Sequence, residues 1–270
     1  MSTRNIFSIS SLLANKPLTI AIAESNQKLL NKIEKILEQF DDCIVVSTFS
    51  DGYKLLKYCQ TNILPDIFII AYELEVIDGI QTTTILKRLY PDVKIIILSE
   101  YTTLTALTTS ISAGALGFVP KKSVEEYSNN INRDIHKYNF HLSIKRVSNG
   151  DYYFSKMSFQ NQTITPEILN SRTIATISLK ELQTVTQELK LTEKEVTVLL
   201  MYCTNLTKLQ ITELISISLK TLDNHITHIS RKINTNCTKD MLLQLYRLGI
   251  VQTAKYNKYN ELETEYELVV

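Results

Sequence analysis

The chain has 270 residues, 44% hydrophobic and 21% charged, with 29 Lys and Arg against 28 Asp and Glu for a net charge of +1. That length holds two cored domains and a linker, the composition is globular rather than disordered, and near-neutrality excludes a general nucleic-acid coat, which needs a large basic excess. No apolar run approaches the ~20 residues of a membrane span, and the stretch from Met1 to Lys16 lacks a signal-peptide core, so no membrane partner is expected.

Cys43, Cys59, Cys203 and Cys237 are scattered without paired or metal-ligand spacing. Such thiols suit a reducing compartment, and neither a metal nor a cofactor is expected. Few Gly and Pro, no Trp and abundant Asn, Ile, Lys, Tyr and Thr fit an A/T-rich coding sequence, of the kind read in a bacterial cytoplasm or a plastid stroma.

After an N-terminal extension, 1–16, a first domain is placed at 17–138. Short apolar runs alternate there with helical patterns, the signature of βα units around a parallel sheet. Five strands are predicted, at Leu18 to Ile22, Ile44 to Thr48, Ile67 to Ile70, Lys94 to Leu98 and Gly117 to Val119. The first helix shows its period in Leu29, Leu30, Ile33, Ile36, Leu37 and Phe40. A doubly wound sheet carries its functional crevice at the carboxyl ends of its strands, which here hold Ala23-Glu24, Ala71, Ser99 and Lys121.

The region 139–190 reads as a linker, because aromatic, Asn and Thr residues mix without sustained period until Leu179, Leu182, Val185 and Leu189 suggest a short helix. Asn149-Gly150-Asp151, after Arg146-Val147, is a turn signal expected to join two short strands.

From 191 to 251 the chain is punctuated as short capped helices. Thr192 with Glu195 and Thr207 with Gln210 are capping boxes; the first helix carries Val196, Leu199, Leu200 and Cys203, the second Ile211, Leu214 and Ile215. Asn205 fits the turn between them, and Ser216-Ile217 leaves a tight connection to a third helix capped by Ser218. In that helix Leu222, Ile226, Ile229 and Ile233 make one apolar stripe. Opposite lie Lys220, Asn224, Thr227, His228 and Arg231, side chains able to hydrogen-bond base edges or phosphates. A fourth helix is expected after Thr238, carrying Met241, Leu242, Leu245 and Leu248 and stopping at Gly249. His225 and His228 find no third ligand nearby for a metal. The basic residues Lys194, Lys208, Lys220, Arg231, Lys232, Lys239 and Arg247 exceed Glu193, Glu195, Glu213, Asp223 and Asp240 by only two. Useful DNA affinity would then rest on a particular site and on a dimer. The tail, 252–270, has Glu261, Glu263, Glu265 and Glu267 in alternation, suited to a strand or a helix in company.

Leu191-Thr192, Glu195, Leu199, Ile211, Ser218, Lys220-Thr221, Asn224-His225, Arg231-Lys232 and Gly249 closely resemble the LuxR/NarL/FixJ helix-turn-helix, an all-α module of four helices. The resemblance implies a third helix in the major groove, with Lys220, Thr221, Asn224 and Thr227 facing DNA and Thr207, Lys208, Arg231 and Lys232 on phosphates. Asp223 stands where relatives often place a base. Pro65-Asp66, Asp78-Gly79, Ser99, Gly114-Ala115, Gly117-Phe118 and Lys121 are similar to the receiver domain of bacterial response regulators, an α/β doubly wound (βα)5 fold. In that family an aspartate at the end of the third strand accepts a phosphoryl group. The corresponding position here is Ala71, which has no nucleophilic oxygen, and the acidic pair that holds the metal is reduced to Glu24. Ser99, Phe118 and Lys121 match the switch residues; the alternative is that Ser99 satisfies local backbone groups, Phe118 packs in or near the core and Lys121 pairs with Glu24.

The resulting expectation is a two-domain DNA-binding transcription regulator, not an enzyme, with a degenerate receiver and phosphorylation-independent control. Its partners would be double-stranded DNA, a second copy of itself and a protein at the receiver-like domain. The alternative is a protein-interaction adaptor whose last domain has kept its fold and lost DNA affinity.

Overall fold

The computed structural model describes residues 16–125, 133–154, 187, 189–202, 204, 206–235, 255–256 and 262–263. The first strands follow the apolar runs: β1 (Leu18–Ala23), β2 (Cys43–Phe49), β3 (Ile67–Ala71), β4 (Ile95–Ser99) and β5 (Gly117–Pro120). Every residue of β3 and β4 is buried, as expected of central parallel strands covered on both faces, whereas β2 alternates between covered and exposed positions and forms one sheet edge. With β6 (Tyr153–Phe154) the sheet is wholly parallel in the order β2-β1-β3-β4-β5-β6, so the chain reverses its winding between β1 and β3.

Strand alternation sends side chains to two cores. On one face Ile20, Ile22, Ile67, Ile69, Ile96 and Leu98 meet α1 (Gln27–Leu37) and α6 (Arg133–Ser148). On the other, Ala21, Phe68, Ile70, Ile95 and Ile97 meet α2 (Gly52–Thr61), α3 (Gly79–Leu89) and α4 (Leu104–Ser112). Each helix starts where a polar side chain satisfies a free N–H: Asn26, Asp51, Asp78 and Thr103 cap α1 to α4.

The loop from β3 to α3 is tight. A Cβ on Gly79 would stand 1.9 Å from the Ala71 carbonyl oxygen, so only glycine lets α3 start there. Val76 in the same loop has φ 66, a left-handed conformation that costs a β-branched residue on the order of 1–2 kcal/mol.

Two boundaries differ from the sequence reading. Helix α6 runs through position 138 to Ser148, because Phe140, Ser143, Ile144 and Val147 lie on one buried face against the sheet. A sixth strand, β6 (Tyr153–Phe154), then pairs parallel with β5, which carries the first folding unit to residue 154. The Asn149-Gly150-Asp151 turn therefore joins a helix to a strand, not two strands; Gly150, at φ 85, donates its N–H to the Val147 carbonyl at 2.9 Å and ends α6. A short α5 (Lys121–Glu125) follows β5 directly.

The second unit comprises α7 (Glu193–Tyr202), α8 (Lys208–Ile215) and α9 (Leu219–Ile233). The expected helix through Leu179, Leu182 and Val185, the turn at Asn205, Cys203 and the fourth helix from Thr238 to Gly249 lie outside the described residues. In the tail, β7 (Lys255–Tyr256) and β8 (Leu262–Glu263) pair antiparallel.

Candidate nucleic-acid interface and sheet crevice

Parallel register brings the expected crevice residues together: Ala23 lies opposite Ile70, Ala71 opposite Leu98 and Ser99 opposite Pro120, with Glu24 and Lys121 immediately beyond their strands. The two buried charges of the crevice face each other. Lys121 Nζ lies 2.9 Å from Glu24 Oε2, and both side chains are buried. Glu24 Oε1 accepts from the Asn26 N–H at 2.8 Å. The Lys121 approach to Oε2 is outside hydrogen-bond geometry, so the contact is ionic and Oε2 has no directed donor among the described residues. Ser99 Oγ accepts from the Tyr101 N–H at 3.0 Å, and Phe118 is fully buried in the core below.

Ala71 presents a methyl group at the end of β3. The two other acids near it are engaged: Glu73 accepts from the Tyr101 hydroxyl, and Asp78 Oδ1 accepts from the Gln81 N–H at 2.7 Å in capping α3. Burial pushes the Asp78 carboxyl above the usual range, against the effect of the Gln81 and Ile80 amides. One carboxylate already holding an ammonium is a poor start for magnesium, which takes near-octahedral oxygen ligands.

The helix-turn-helix is built from its caps upward. Glu195 N–H donates to Thr192 Oγ1 at 3.3 Å and Thr192 N–H returns to Glu195 Oε2 at 2.7 Å, completing the first capping box. Thr207 and Gln210 make the second. Ser216 turns the chain through φ 52 at the end of α8, and Ser218 Oγ accepts from the Thr221 N–H at 3.1 Å to start α9. Leu222, Ile229 and Ile233 are buried against α7 and α8, with Ile226 partly covered. That packing fixes which face of α9 looks outward.

On the outward face Lys220, Thr221, Asn224, Thr227, His228 and Arg231 are all exposed. Among the described residues Lys220, Asn224, His228 and Arg231 have no side-chain partner, while Thr221 Oγ1 meets Ser218 Oγ at 2.8 Å and Thr227 Oγ1 donates to the Asp223 carbonyl at 2.8 Å. Thr207, at the α8 cap, is exposed on the neighbouring surface.

Lys232, expected on a phosphate, is placed elsewhere. Its Nζ donates to Glu195 Oε2 at 2.7 Å and to the Lys190 carbonyl at 2.8 Å. Burial acts to raise the Glu195 carboxyl, but Lys232 and the Thr192 amide outweigh it and hold the carboxyl below its ordinary value. A buried carboxylate in α7 needs a counter-charge, and Lys232 is within reach one helix away. Lys208 is likewise occupied: its Nζ is 2.7 Å from Asp223 Oδ1, and the pair raises the lysine. The acid at 223 thus faces a lysine on α8.

Sequence reasoning missed the surface joining the two units. Lys57 and Tyr53 of α2 both bond Glu213 of α8, the ion pair at 3.0 Å. Gln60 Nε2 donates to the Glu213 carbonyl at 2.8 Å. Arg88 of α3 pairs with Glu193 and donates to Thr197 Oγ1 at 2.9 Å, both on α7. His225 lines the cavity of about 490 Å³ between these helices with Gln60, Arg88 and Glu193. No periodicity reports such contacts, since Glu213 and Arg88 look like ordinary solvated charges in the sequence. The docking uses α7 and α8 and leaves the outward face of α9 open.

Comparison with known proteins agrees with this division. Residues 20–131 match the response regulator receiver domain, and residues 189–242 match the bacterial regulatory proteins, luxR family. The transcriptional regulatory protein DegU of Brevibacillus brevis is 23% identical over 238 residues, covering 87% of this chain and 95% of DegU. The oxygen regulatory protein NreC of Staphylococcus epidermidis is 23% identical over 233 residues, covering 83% of this chain and 95% of NreC. A structure of the Salmonella typhimurium RcsB response regulator, 20% identical, covers 86% of this chain and 99% of its own, with a TM-score of 0.43. The chain thus carries a match to a response regulator receiver domain followed by a match to a luxR-family helix-turn-helix domain, and is similar over most of its length to regulators of the DegU type.

Proposed function

We propose that this protein regulates transcription by binding a specific duplex site through α9, without using an aspartyl phosphate. One contrast carries the reading: the outward row Lys220, Asn224, His228 and Arg231 is unpaired among the described residues, while the crevice has Ala71 at the acceptor position and an internal Lys121–Glu24 ion pair. Lys220, Thr221, Asn224 and Thr227 would lie in the major groove, with Arg231 and Thr207 on phosphates. Lys208 would reach a phosphate only by leaving Asp223, and Lys232 supports the fold instead.

With a charge surplus this small, two copies on two half-sites would supply the affinity that one lacks. Control would come through a protein partner or a dimer equilibrium at the receiver domain. Among the described residues no helix is long and apolar enough to cross a membrane, and the place of action is that of the target DNA, a bacterial cytoplasm or, on the A/T-rich residue usage, a plastid stroma. The Lys208–Asp223 pair, which removes one cation from the interface, favours the adaptor reading as the rival.

In vitro selection of DNA with the full-length protein should enrich one motif, and binding to it should be unchanged by a small-molecule phosphodonor with magnesium. Stoichiometric acyl-phosphate formation would overturn the phosphate-independent part. Failure to enrich any motif would leave the adaptor.

A further inference from the structure

The amino-end pole of the sheet, opposite the crevice, gathers three side chains that the sequence keeps apart. Asp42 immediately precedes β2, Cys43 opens it, and His141 comes from α6, 99 residues after Asp42. His141 Nε2 stands 2.9 Å from Asp42 Oδ1, Cys43 Sγ stands 3.4 Å from the same oxygen, and the three donor atoms lie within 4.8 Å of one another. We propose that Asp42, Cys43 and His141 form a binding site for a divalent ion of the zinc class, with a fourth position left to water.

Donor type and spacing both favour such an ion. Imidazole nitrogen, thiolate sulfur and one carboxylate oxygen are a borderline-soft set that suits zinc rather than magnesium or calcium. Ligand atoms around a tetrahedral zinc, at ~2.0–2.3 Å from the ion, stand roughly 3.3–3.6 Å apart, so the present spacing needs shifts of only a few tenths of an ångström in the two measured pairs.

The ligands are also held in place. The His141 ring stacks on Phe40 with centroids 3.9 Å apart and planes 2° apart. Asp42 divides its work: Oδ1 faces the other two donors, while Oδ2 is held by Lys145 Nζ at 2.5 Å. That ammonium can remain on Oδ2 as an outer orienting contact when Oδ1 takes the ion. Asp42, although partly buried, is held down to about 2 by Lys145 and His141, so it is a carboxylate at neutral pH. Cys43 is a thiol, pushed up to about 12 by burial and by Asp42. Metal binding must therefore break its S–H bond, form the sulfur–metal bond and release one proton to solvent. The ion would clip α6 to the opening of β2 by a route independent of both the crevice and DNA binding.

Metal-free full-length protein titrated with cobalt(II) should develop a thiolate charge-transfer band at one equivalent, which zinc displaces. Cys43→Ser should abolish the band and Cys59→Ser should keep it. In the wild-type protein, zinc at a hundredfold excess over Kd should raise Tm by about 5 °C or more. X-ray absorption of that complex should show one sulfur at ~2.3 Å with nitrogen or oxygen neighbours, and peptide mapping should show Cys43 protected from alkylation. These wild-type readouts hold even if Cys43→Ser does not fold. A shell with no sulfur or with two, protection at another cysteine, or no binding at all would overturn the assignment.

Discussion

The crevice of the receiver domain and the outward face of α9 treat charge in opposite ways. In the crevice Lys121, Glu24 and Ser99 are buried and answered from within the chain. On α9 the cations and amides stand in solvent, and the only acid on that face, Asp223, is matched by Lys208. Charges paired within the chain must give up that partner to take a ligand, whereas hydrated donors held in a row by a packed helix exchange only water for one. With Ala71 at the end of β3, the charge of Lys121 is balanced within the chain by Glu24.

The hardest test of that contrast is to break the crevice pair. Lys121→Met leaves Glu24 as an uncompensated buried charge and should destabilise the receiver domain by about 3–5 kcal/mol, while Lys121→Met with Glu24→Gln should recover most of it. Urea denaturation measures both, and an additive double variant would show that the pair does not hold the crevice.

On the open side, Asn224→Ala should weaken binding to the selected duplex by about 1–3 kcal/mol and leave urea stability within ~0.5 kcal/mol. Equal loss of affinity for all sequences would mean that Asn224 touches phosphate rather than a base. Val76→Gly tests the loop beneath the crevice: relief of the left-handed strain should stabilise the domain by about 1 kcal/mol. An unchanged denaturation midpoint would argue that the loop carries no strain.

The smallest effect concerns pH. Glu195 has a folded pKa lowered by Lys232 and Thr192, so its contribution is fully present above the ordinary glutamate value and is lost as pH falls through the lowered folded value. The helix-turn-helix should accordingly lose stability in acid more steeply than the Glu195→Gln variant, as chemical denaturation across that range would show. Parallel curves would mean the ion pair contributes nothing.

Much of this was legible locally. The buried runs IFIIA and IIILS declare central strands, and Asn26, Asp51, Thr207 and Ser218 announce their helices, because strand burial and capping depend on residues near one another in the chain. The run of α6 past 138 is hidden in the sequence because it mixes buried Phe140, Ile144 and Val147 with Lys, Arg and His, which blurs its period. The outward row of α9 could be named from spacing alone. Lys232 could not be separated from its neighbours, since its direction was decided by a glutamate on α7.

By itself, then, the sequence determined the alternation of strands and helices, the capped three-helix module and Ala71 at the end of β3. Each is set by residues within a turn or a strand of one another. Only the tertiary structure decided that Lys121 closes on Glu24, that Glu213 and Arg88 join the two units, and that His141 arrives beside Asp42 and Cys43. Such meetings depend on how elements pack across the sheet, where separation along the chain carries no information about distance in space.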